Sequence, residues 1–334
     1  MEQAGLTTAL PAAPYLAHVD GHPYAVKLDG NVVRVRLPSG ERHAWRLQSL
    51  ATLDSAAPAP TPRYDAHPAE LAALEALWSQ QHGLAQQLIL PDGGAPAWAC
   101  PGMFWQQSRN WLTQPQAPLP LRHCISAGKR HPQRPPKPAG TVYRRHIPWL
   151  GQTLSLRAFE GQDDLVRLNR WMNDPDVAYF WEEQGDLEHH RHYLARLADD
   201  PHAYPLIACL DEVPFAYFEI YWAREDRIAP FADPGGHDRG WHVLVGEPAY
   251  RGREFVSAWM PSVSHYLLLE DVRTERLWIE PRADNRKMLR SLQRSGYALL
   301  KEFDFPHKRA MLGMLSRERF FGERLWMPGA ASAN

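Results

Sequence analysis

The sequence predicts a mixed α/β fold, in which strands and helices alternate around a sheet with both parallel and antiparallel neighbours. Three observations lead to this prediction. The 334 residues are 44% hydrophobic and 22% charged, as in an ordinary globular protein. No stretch approaches the ~18 uninterrupted apolar residues of a membrane-spanning helix. Residues 141–321 switch repeatedly between the alternating pattern of strands and the three-to-four-residue pattern of helices.

The N-terminal region begins with alternating apolar and polar residues. Asp29-Gly30 separates two such runs and predicts a β-hairpin, and Pro38-Ser39-Gly40 predicts a second turn before a strand at 43–47. Apolar residues at helical spacing predict a helix over 69–87. We therefore expect residues 1–127 to form an N-terminal α/β domain.

A Pro-rich basic segment follows at residues 128–140. It contains four prolines and four Lys or Arg residues without an apolar period. A basic patch for an anionic ligand is one interpretation, and a stiff, solvated connector between domains is the favoured one. The predicted second domain then covers 141–321, and 322–334 is predicted to be a C-terminal tail.

The second domain has a regular order of elements. Helices are predicted over 163–173, 189–198, 252–269 and 285–294, and Gly296 is predicted to end the last one in a left-handed conformation. Strands are predicted over 154–159, 205–210, 215–222, 240–245, 276–280, 299–305 and 308–315. This order indicates a mixed sheet rather than a doubly wound parallel one.

Composition also limits the partners. The formal net charge of −1 argues against nucleic acid, which requires a basic field. Three cysteines without CxxC spacing argue against a disulfide framework or structural zinc, and we expect no metal site. The N-terminal sequence lacks the pattern of a secretory signal, so the expected location is cytoplasmic, with no membrane partner.

One strand–turn–helix segment predicts an anion site. A strand at 241–246 leads through a turn to Arg251-Gly252-Arg253, which opens a helix. Exposed amides at a helix start, together with two guanidinium groups, suit a pyrophosphate. The sequence lacks GxGxxG, GxxxxGK[ST], GxSxG and HExxH, which removes the usual support for dinucleotide, P-loop, serine-hydrolase and zincin functions.

Several short motifs follow one another in a fixed order through residues 141–321. They are WMNDP at 171–175, FWE at 180–182, FEIYWA at 218–223, HVLVG at 242–246, EPRADN at 280–285 and EFDFPHKRA at 302–310. Together they resemble the GCN5-related N-acetyltransferase (GNAT) superfamily, and within it the siderophore-biosynthesis branch, most of all the aerobactin-type N-hydroxylysine acetyltransferases. One departure is that Glu254 and Val256 stand where the superfamily has glycine or alanine.

The resemblance implies a GNAT acyltransferase fold for the second domain. Residues 1–127 could then be a degenerate second copy of that fold. It implies acyl transfer from acyl-CoA, with acetyl-CoA first and succinyl-CoA as the other donor, to the nitrogen of an N-hydroxylated amine. Acyl-CoA would be a co-substrate, with no permanently bound cofactor. Hydroxylysine, hydroxyornithine and a hydroxylated diamine all remain as acceptors, and the chain could be a monomer or a homodimer. Two alternatives stay open: a GNAT enzyme for ordinary amines, and a non-catalytic binding module.

The resemblance also assigns catalytic roles to individual residues. His242 is expected to be the general base, with Asp304 orienting it or sharing its proton. A core histidine and an Asp304–Arg309 salt bridge are the alternatives from the residues alone.

Binding roles are assigned to two further groups. The expected CoA contacts are Val243, Leu244 and Val245 through strand amides, with Arg251, Gly252, Arg253 and Asn285 around the CoA arm; Asn285 could equally be a helix N-cap. The expected acceptor contacts are Trp181, Glu182, Glu219, Trp222 and Arg239, the last as a receptor for an α-carboxylate.

Overall fold

The computed structural model describes residues 14–30, 32–46, 48–49, 66–80, 88–89 and 101–327. An N-terminal antiparallel sheet and a large mixed sheet contain most of the strands in these residues. None of the described helices is both long and apolar enough to cross a membrane.

The N-terminal sheet is a meander of neighbouring antiparallel strands. They are β1 (Tyr15–Val19), β2 (His22–Asp29), β3 (Val32–Arg36) and β4 (Arg42–Arg46). Gly30 and Gly40 have φ of 58° and 89°, where other residues are strained, so both predicted turns are confirmed. This sheet contains no parallel pair and does not repeat the topology of the large sheet.

Among the residues that the structure describes between β4 and residue 105, one longer helix is accompanied by three short elements. The helix α1 (Pro68–Gln80) confirms the first part of the predicted helix, and residues 81–87 lie outside the described residues. β5 (Gln48–Ser49) pairs with β6 (Leu88–Ile89), and α2 (Pro101–Phe104) follows.

The predicted linker contains packed structure, so its description as a solvated connector is wrong. β7 (His123–Ser126) and β8 (Lys129–Pro132) form a hairpin across the expected boundary at 127/128. Arg134 then makes two 2.7 Å hydrogen bonds to the carboxylate of Glu225, and its guanidinium stacks 4.0 Å above Trp222. Arg134 is therefore held by partners from the second domain, which composition alone does not reveal.

The large sheet confirms the predicted mixed α/β arrangement. Its strands are β9 (Thr141–Ile147), β10 (Gln152–Ala158), β11 (Ala203–Leu210), β12 (Val213–Trp222), β13 (Arg239–Val245), β14 (Arg276–Ile279), β15 (Ala298–Asp304) and β16 (Arg309–Ser316). They lie in the order β15-β16-β14-β13-β12-β11-β10-β9. β13 and β14 are parallel, and the other neighbours are antiparallel.

Helices fill the connections between these strands. They are α3 (Gly161–Met172), α4 (Pro175–Trp181), α5 (Leu187–Asp199), α6 (Ala229–Ala232), α7 (Arg253–Glu270), α8 (Arg286–Arg294) and α9 (Arg317–Gly322). Gly296 has φ of 88° after α8, which confirms the predicted left-handed cap. α4 was not predicted, although Asp174 caps its first turn and Pro175 occupies its first position.

The C-terminal residues also pack into the core. Trp326 is 1% exposed and stacks on Trp105 with ring centroids 4.8 Å apart. Arg145, fully buried, donates to the carbonyl of Trp326. The segment predicted to begin a tail at 322 is therefore structural through residue 327, and one hydrophobic cluster joins it to the N-terminal region and the large sheet.

Candidate active site

The parallel strands β13 and β14 separate after a short paired region. Their register contains only Arg239 opposite Leu277 and Gly240 opposite Trp278. On the other side, β13 stays paired with β12 through Val245. Residues 241–245 thus have one edge without a strand partner in the described pairing, and this open edge is where a ligand can reach the backbone.

The backbone groups at this edge belong to alternate residues of β13. Gly246 donates to Phe215 O at 2.9 Å, on the β12 side. Because strand residues alternate between edges, Leu244 also faces β12, whereas Val243 and Val245 face the open edge. Their carbonyls accept from side chains there: Val243 O from Trp181 Nε1 at 3.2 Å and Val245 O from Arg251 Nε at 3.0 Å.

His242 of β13 lies between two carboxylates, one on β12 and one just after the end of β14. It is directly opposite Glu219 of β12, and Glu280 follows the last residue of β14. His242 Nε2 lies 2.7 Å from Glu280 Oε1, and Nδ1 lies 3.5 Å from Glu219 Oε2. The His242 side chain is 21% exposed, whereas that of Glu280 is fully buried. The imidazole is therefore oriented from inside and accessible from one side.

His242 and Glu280 each stabilise the charged form of the other. Burial acts to raise the pKa of Glu280, but the charged His242 and the nearby Lys308 outweigh it and hold that pKa well below its usual range. Tyr221 also donates to Glu280 Oε2 at 2.8 Å. Because an ionised Glu280 only accepts hydrogen bonds, Nε2 of His242 carries a proton, and Nδ1 is the nitrogen that can exchange one.

The pKa of His242 is raised to about 9. Burial acts in the opposite direction, but Glu280 and Glu219 outweigh it by stabilising the imidazolium. Glu219 is in turn held by hydroxyl groups: Oε1 accepts from Tyr217 at 2.9 Å and from Tyr193. Although burial opposes ionisation of Glu219, His242 and these hydroxyls keep the pKa of that carboxyl below its usual value.

The structure does not bring Asp304 to His242, so the predicted pairing of these two residues is wrong. The Asp304 side chain is 72% exposed at the end of β15, and its Oδ1 lies 3.9 Å from Arg309 Nη1. Glu280 occupies the orienting position instead. A usable signal was in the sequence, because Glu280 ends a predicted strand and begins a motif that already carried the resemblance.

Two predicted acceptor contacts, Trp222 and Arg239, are also wrong. They face each other at one end of the β12–β13 pair, three register positions from Glu219 and His242. Arg239 is fully buried and ion-paired with Glu270, and its guanidinium lies 3.8 Å above Trp222. Trp222 is 3% exposed between this guanidinium and that of Arg134. Both residues build the core rather than a binding surface.

Of the other acceptor candidates, Trp181 joins Glu219 beside His242. Its ring centroid is 6.4 Å from that of His242 in an edge-on arrangement. Glu182 ends α4 in a left-handed conformation and pairs with Arg282 at 3.0 Å, with 58% of its side chain exposed. Trp181 thus lies beside His242, while Glu182 lies at the surface.

Comparison with known proteins identifies the family. The family model for an acetyltransferase (GNAT) domain matches residues 160–305. The chain is 46% identical over 222 residues to the N(6)-hydroxylysine O-acetyltransferase of Escherichia coli, covering 66% of this chain and 70% of that protein. The chain belongs to the GNAT acetyltransferase family. The resemblance seen in the sequence is therefore confirmed.

Other relatives of this GNAT chain carry related names. It is 44% identical over 219 residues to a putative lysine N-acyltransferase of Schizosaccharomyces pombe, covering 65% of each chain. It is 40% identical over 251 residues to an N(5)-hydroxyornithine:cis-anhydromevalonyl coenzyme A-N(5)-transacylase of Beauveria bassiana, covering 69% of this chain and 54% of that one. The chain thus spans between about half and 70% of the length of these three relatives.

A solved structure supports the same fold. The crystal structure of an uncharacterized protein from Bacillus halodurans is 25% identical and superposes with a TM-score of 0.53, covering 57% of this chain and 96% of that one. The predicted GNAT fold is confirmed.

Some of the predicted CoA-contacting residues of this GNAT domain already have partners within the protein, and others do not. The guanidinium of Arg251 donates hydrogen bonds to Asp174 at 3.1 Å and to Asp176 at 3.0 Å. It therefore stabilises the turn, and its donors are not free for a pyrophosphate as expected. Gly252 precedes α7 without a side-chain cap. Arg253 is exposed in the first turn of α7 and makes no hydrogen bond or ion pair with the described residues.

A carboxamide lies at the start of α8, and a carboxylate lies at the start of α7. Asn285 caps α8, with Oδ1 accepting from Met288 N at 3.1 Å, which fits the N-cap interpretation. The Glu254 carboxylate lies over the start of α7, since a Cβ at Gly252 would be 3.3 Å from its oxygens.

One side-chain group that the sequence analysis missed could hold a metal ion. His131, His202 and Glu225 bring candidate ligand atoms within 4.8 Å of one another. They come from segments far apart in the sequence, so spacing gave no signal. These atoms already have partners: Arg134 binds both oxygens of Glu225, and His131 Nδ1 donates to Pro132 O at 2.7 Å.

Proposed function

We propose that this protein transfers an acyl group from acyl-CoA to the nitrogen of an N-hydroxylated amine, forming a hydroxamate in siderophore biosynthesis. The observation that carries the proposal is His242, which Glu280 orients from the buried side and which stays accessible beside the open edge of β13. The names of the relatives that act on hydroxylysine and hydroxyornithine support the acceptor class.

In the proposed step, the hydroxylamine nitrogen attacks the thioester carbonyl carbon. A C–N bond forms, the C–S bond breaks, and the proton from nitrogen passes to His242 Nδ1. The CoA thiolate leaves and takes up one proton, so the products are the hydroxamate and CoA thiol. Glu280 keeps Nε2 protonated and stabilises the imidazolium, and a base positioned in this way contributes ~10²–10⁴-fold.

The same geometry suggests where acyl-CoA binds. The N–H groups of Val243 and Val245 share the open edge with their carbonyls, and they would receive the thioester oxygen as its negative charge develops. Arg253 and the backbone N–H groups at the start of α7 would hold the pyrophosphate once the Glu254 carboxylate turns away from that helix start. Acetyl-CoA is the first donor to test and succinyl-CoA the second.

The charges around His242 favour a hydroxylamine over an ordinary amine. A lysine amine has a pKa of about 10.4 and is an ammonium ion at neutral pH. Glu219 and Glu280 would stabilise that ammonium and so hinder its deprotonation. A hydroxylamine nitrogen is less basic and is already neutral near pH 7, so only the proton released during attack has to move.

The test compares N6-hydroxylysine with lysine, each with acetyl-CoA. We expect release of CoA thiol with N6-hydroxylysine alone, matched mole for mole by hydroxamate, which gives a coloured complex with Fe(III). Thiol release with lysine would favour the ordinary-amine alternative. Thiol without hydroxamate would indicate acylation at oxygen. No thiol with either acceptor, and no thermal stabilisation by acetyl-CoA, would favour the binding module.

A further inference from the structure

The turn after β12 places two opposite charges beside the His242–Glu280 pair. Arg227 Nη2 lies 3.6 Å from Glu280 Oε1, and its side chain is 49% exposed. Its guanidinium also lies 5.3 Å from the ring centroid of Phe305. Among the described residues it makes no hydrogen bond, so its donors remain available to an anion entering the site.

Asp226 presents a carboxylate next to this arginine. Its Oδ1 accepts from Ile228 N at 2.9 Å, which fixes the turn. Burial and the nearby Glu280 raise the pKa of Asp226, although His242 and Arg227 act to lower it. No Lys, Arg or His of the described residues lies within ion-pair distance of it. A partly buried carboxylate that accepts one backbone N–H and has no direct ion pair is costly, and a cationic ligand group would reduce that cost.

Other charged groups nearby are already committed. Lys308 donates to the backbone carbonyl of Glu280 at 2.8 Å and is 15% exposed. Arg282 is paired with Glu182 and Asp284, each at 3.0 Å. Arg239, which the sequence suggested as the carboxylate receptor, is buried against Glu270. Arg227 is therefore the cation best placed to meet an acceptor.

We infer that Asp226 and Arg227 form a receptor for the α-amino acid end of the acceptor, with Arg227 binding its α-carboxylate and Asp226 its α-ammonium group. This inference rests on the proposed function. It selects an N-hydroxylated amino acid over a hydroxylated diamine, which has an ammonium for Asp226 but nothing for Arg227. A guanidinium–carboxylate pair is among the stronger polar contacts, so the carboxylate makes a measurable contribution to binding.

The experiment compares two acceptors that differ only in the α-carboxylate: N6-hydroxylysine and N-hydroxy-1,5-diaminopentane. kcat/KM is measured for both with the wild type and with Arg227→Gln. We expect the ratio of kcat/KM, hydroxylysine over hydroxydiamine, to fall about tenfold or more in the variant. If Arg227 merely supports Glu280, both acceptors lose the same factor, the ratio stays constant, and the inference is overturned.

Controls separate this inference from the proposed function. Arg309→Gln removes an exposed arginine that is paired with Glu302, and should leave the ratio unchanged. Asp226→Asn should weaken both acceptors, since both carry the ammonium. A wild type that acylates neither acceptor would contradict the proposed function itself. A wild type that acylates both equally well would contradict only the receptor.

Discussion

His242 Nε2 and Glu280 Oε1 lie 2.7 Å apart where the two parallel strands of the large sheet separate. One strand supplies the imidazole, and the end of the next supplies a fully buried carboxylate. This relationship gives the ring a fixed orientation and a charge partner at the one place where the sheet is open. It underlies the expected kinetics, pH dependence and charge-linked stability of the protein.

The first prediction concerns which acid supports His242. Above pH 9, where His242 is neutral in the wild type, Glu280→Gln should lower kcat/KM for N6-hydroxylysine by ~10²-fold, because the neutral amide cannot stabilise the imidazolium that forms during attack. Asp304→Asn should stay within about twofold of wild type, since Asp304 is exposed and lies near Arg309. Steady-state thiol release with saturating acetyl-CoA checks both variants. The reverse pattern would restore the sequence-based assignment.

The second prediction is a pH dependence. If neutral His242 is the base, its raised pKa of about 9 leaves about one ring in a hundred neutral at pH 7. kcat/KM should therefore rise about tenfold per pH unit from pH 7 and level off above pH 9. Glu219→Gln removes one negative neighbour, lowers the pKa of His242 and moves this limb to lower pH. A limb that stays in place in the variant would mean that another group titrates.

The third prediction follows from linkage between protonation and folding. The pKa of His242 is about 9 in the folded protein and about 6.5 in an unfolded chain. The folded state therefore holds this proton more tightly, and the resulting stability is fully present below about pH 6.5 and lost as pH rises through 9. Melting curves of wild type and His242→Gln should differ most near pH 6 and converge near pH 9. A difference that grows with pH would contradict the assigned charge state.

The fourth prediction concerns the C-terminal residues. Trp326→Ala should lower the free energy of unfolding by about 3–5 kcal/mol, because it empties a buried site between Trp105 and Arg145. Leu300→Ala, at a side chain 49% exposed on β15, serves as the control and should change it by less than about 0.5 kcal/mol. Urea unfolding checks both. Equal, small effects would mean that these residues behave as a tail.

Most strands of the large sheet were predictable, because the alternation of apolar and polar residues that marks a strand lies within a short stretch of sequence. Alternating runs gave most strands of the second domain, and Asp29-Gly30 gave the first hairpin. The family resemblance pointed to His242, and the first four residues of its motif HVLVG lie on β13. Helix α4 carried a readable cap at Asp174 and Pro175, but its seven residues are too few for periodicity to reveal.

The errors arose where long-range packing decides. Arg239 is suited to a carboxylate by residue type, but its register opposite Trp222 places it in the core. Arg134 belongs to a segment whose composition predicts a solvated linker. In the folded protein its partners are Glu225 and Trp222, which lie far away in the sequence. The proposed roles of Glu280 and Arg227 depend on the contact between the end of β14 and the turn after β12, which are about 50 residues apart in the sequence.

The central claim is acyl transfer to a hydroxylamine nitrogen with His242 as base. The most direct test is hydroxamate formation from acetyl-CoA and N6-hydroxylysine, measured by Fe(III) colour for wild type, His242→Gln and His192→Gln. His192 is exposed on α5 and pairs with Glu188 at 3.4 Å, so its variant is a matched control. We predict hydroxamate from wild type and the control, and a rate lower by ~10²–10⁴-fold from His242→Gln. Hydroxamate formation at the wild-type rate by His242→Gln would contradict the account.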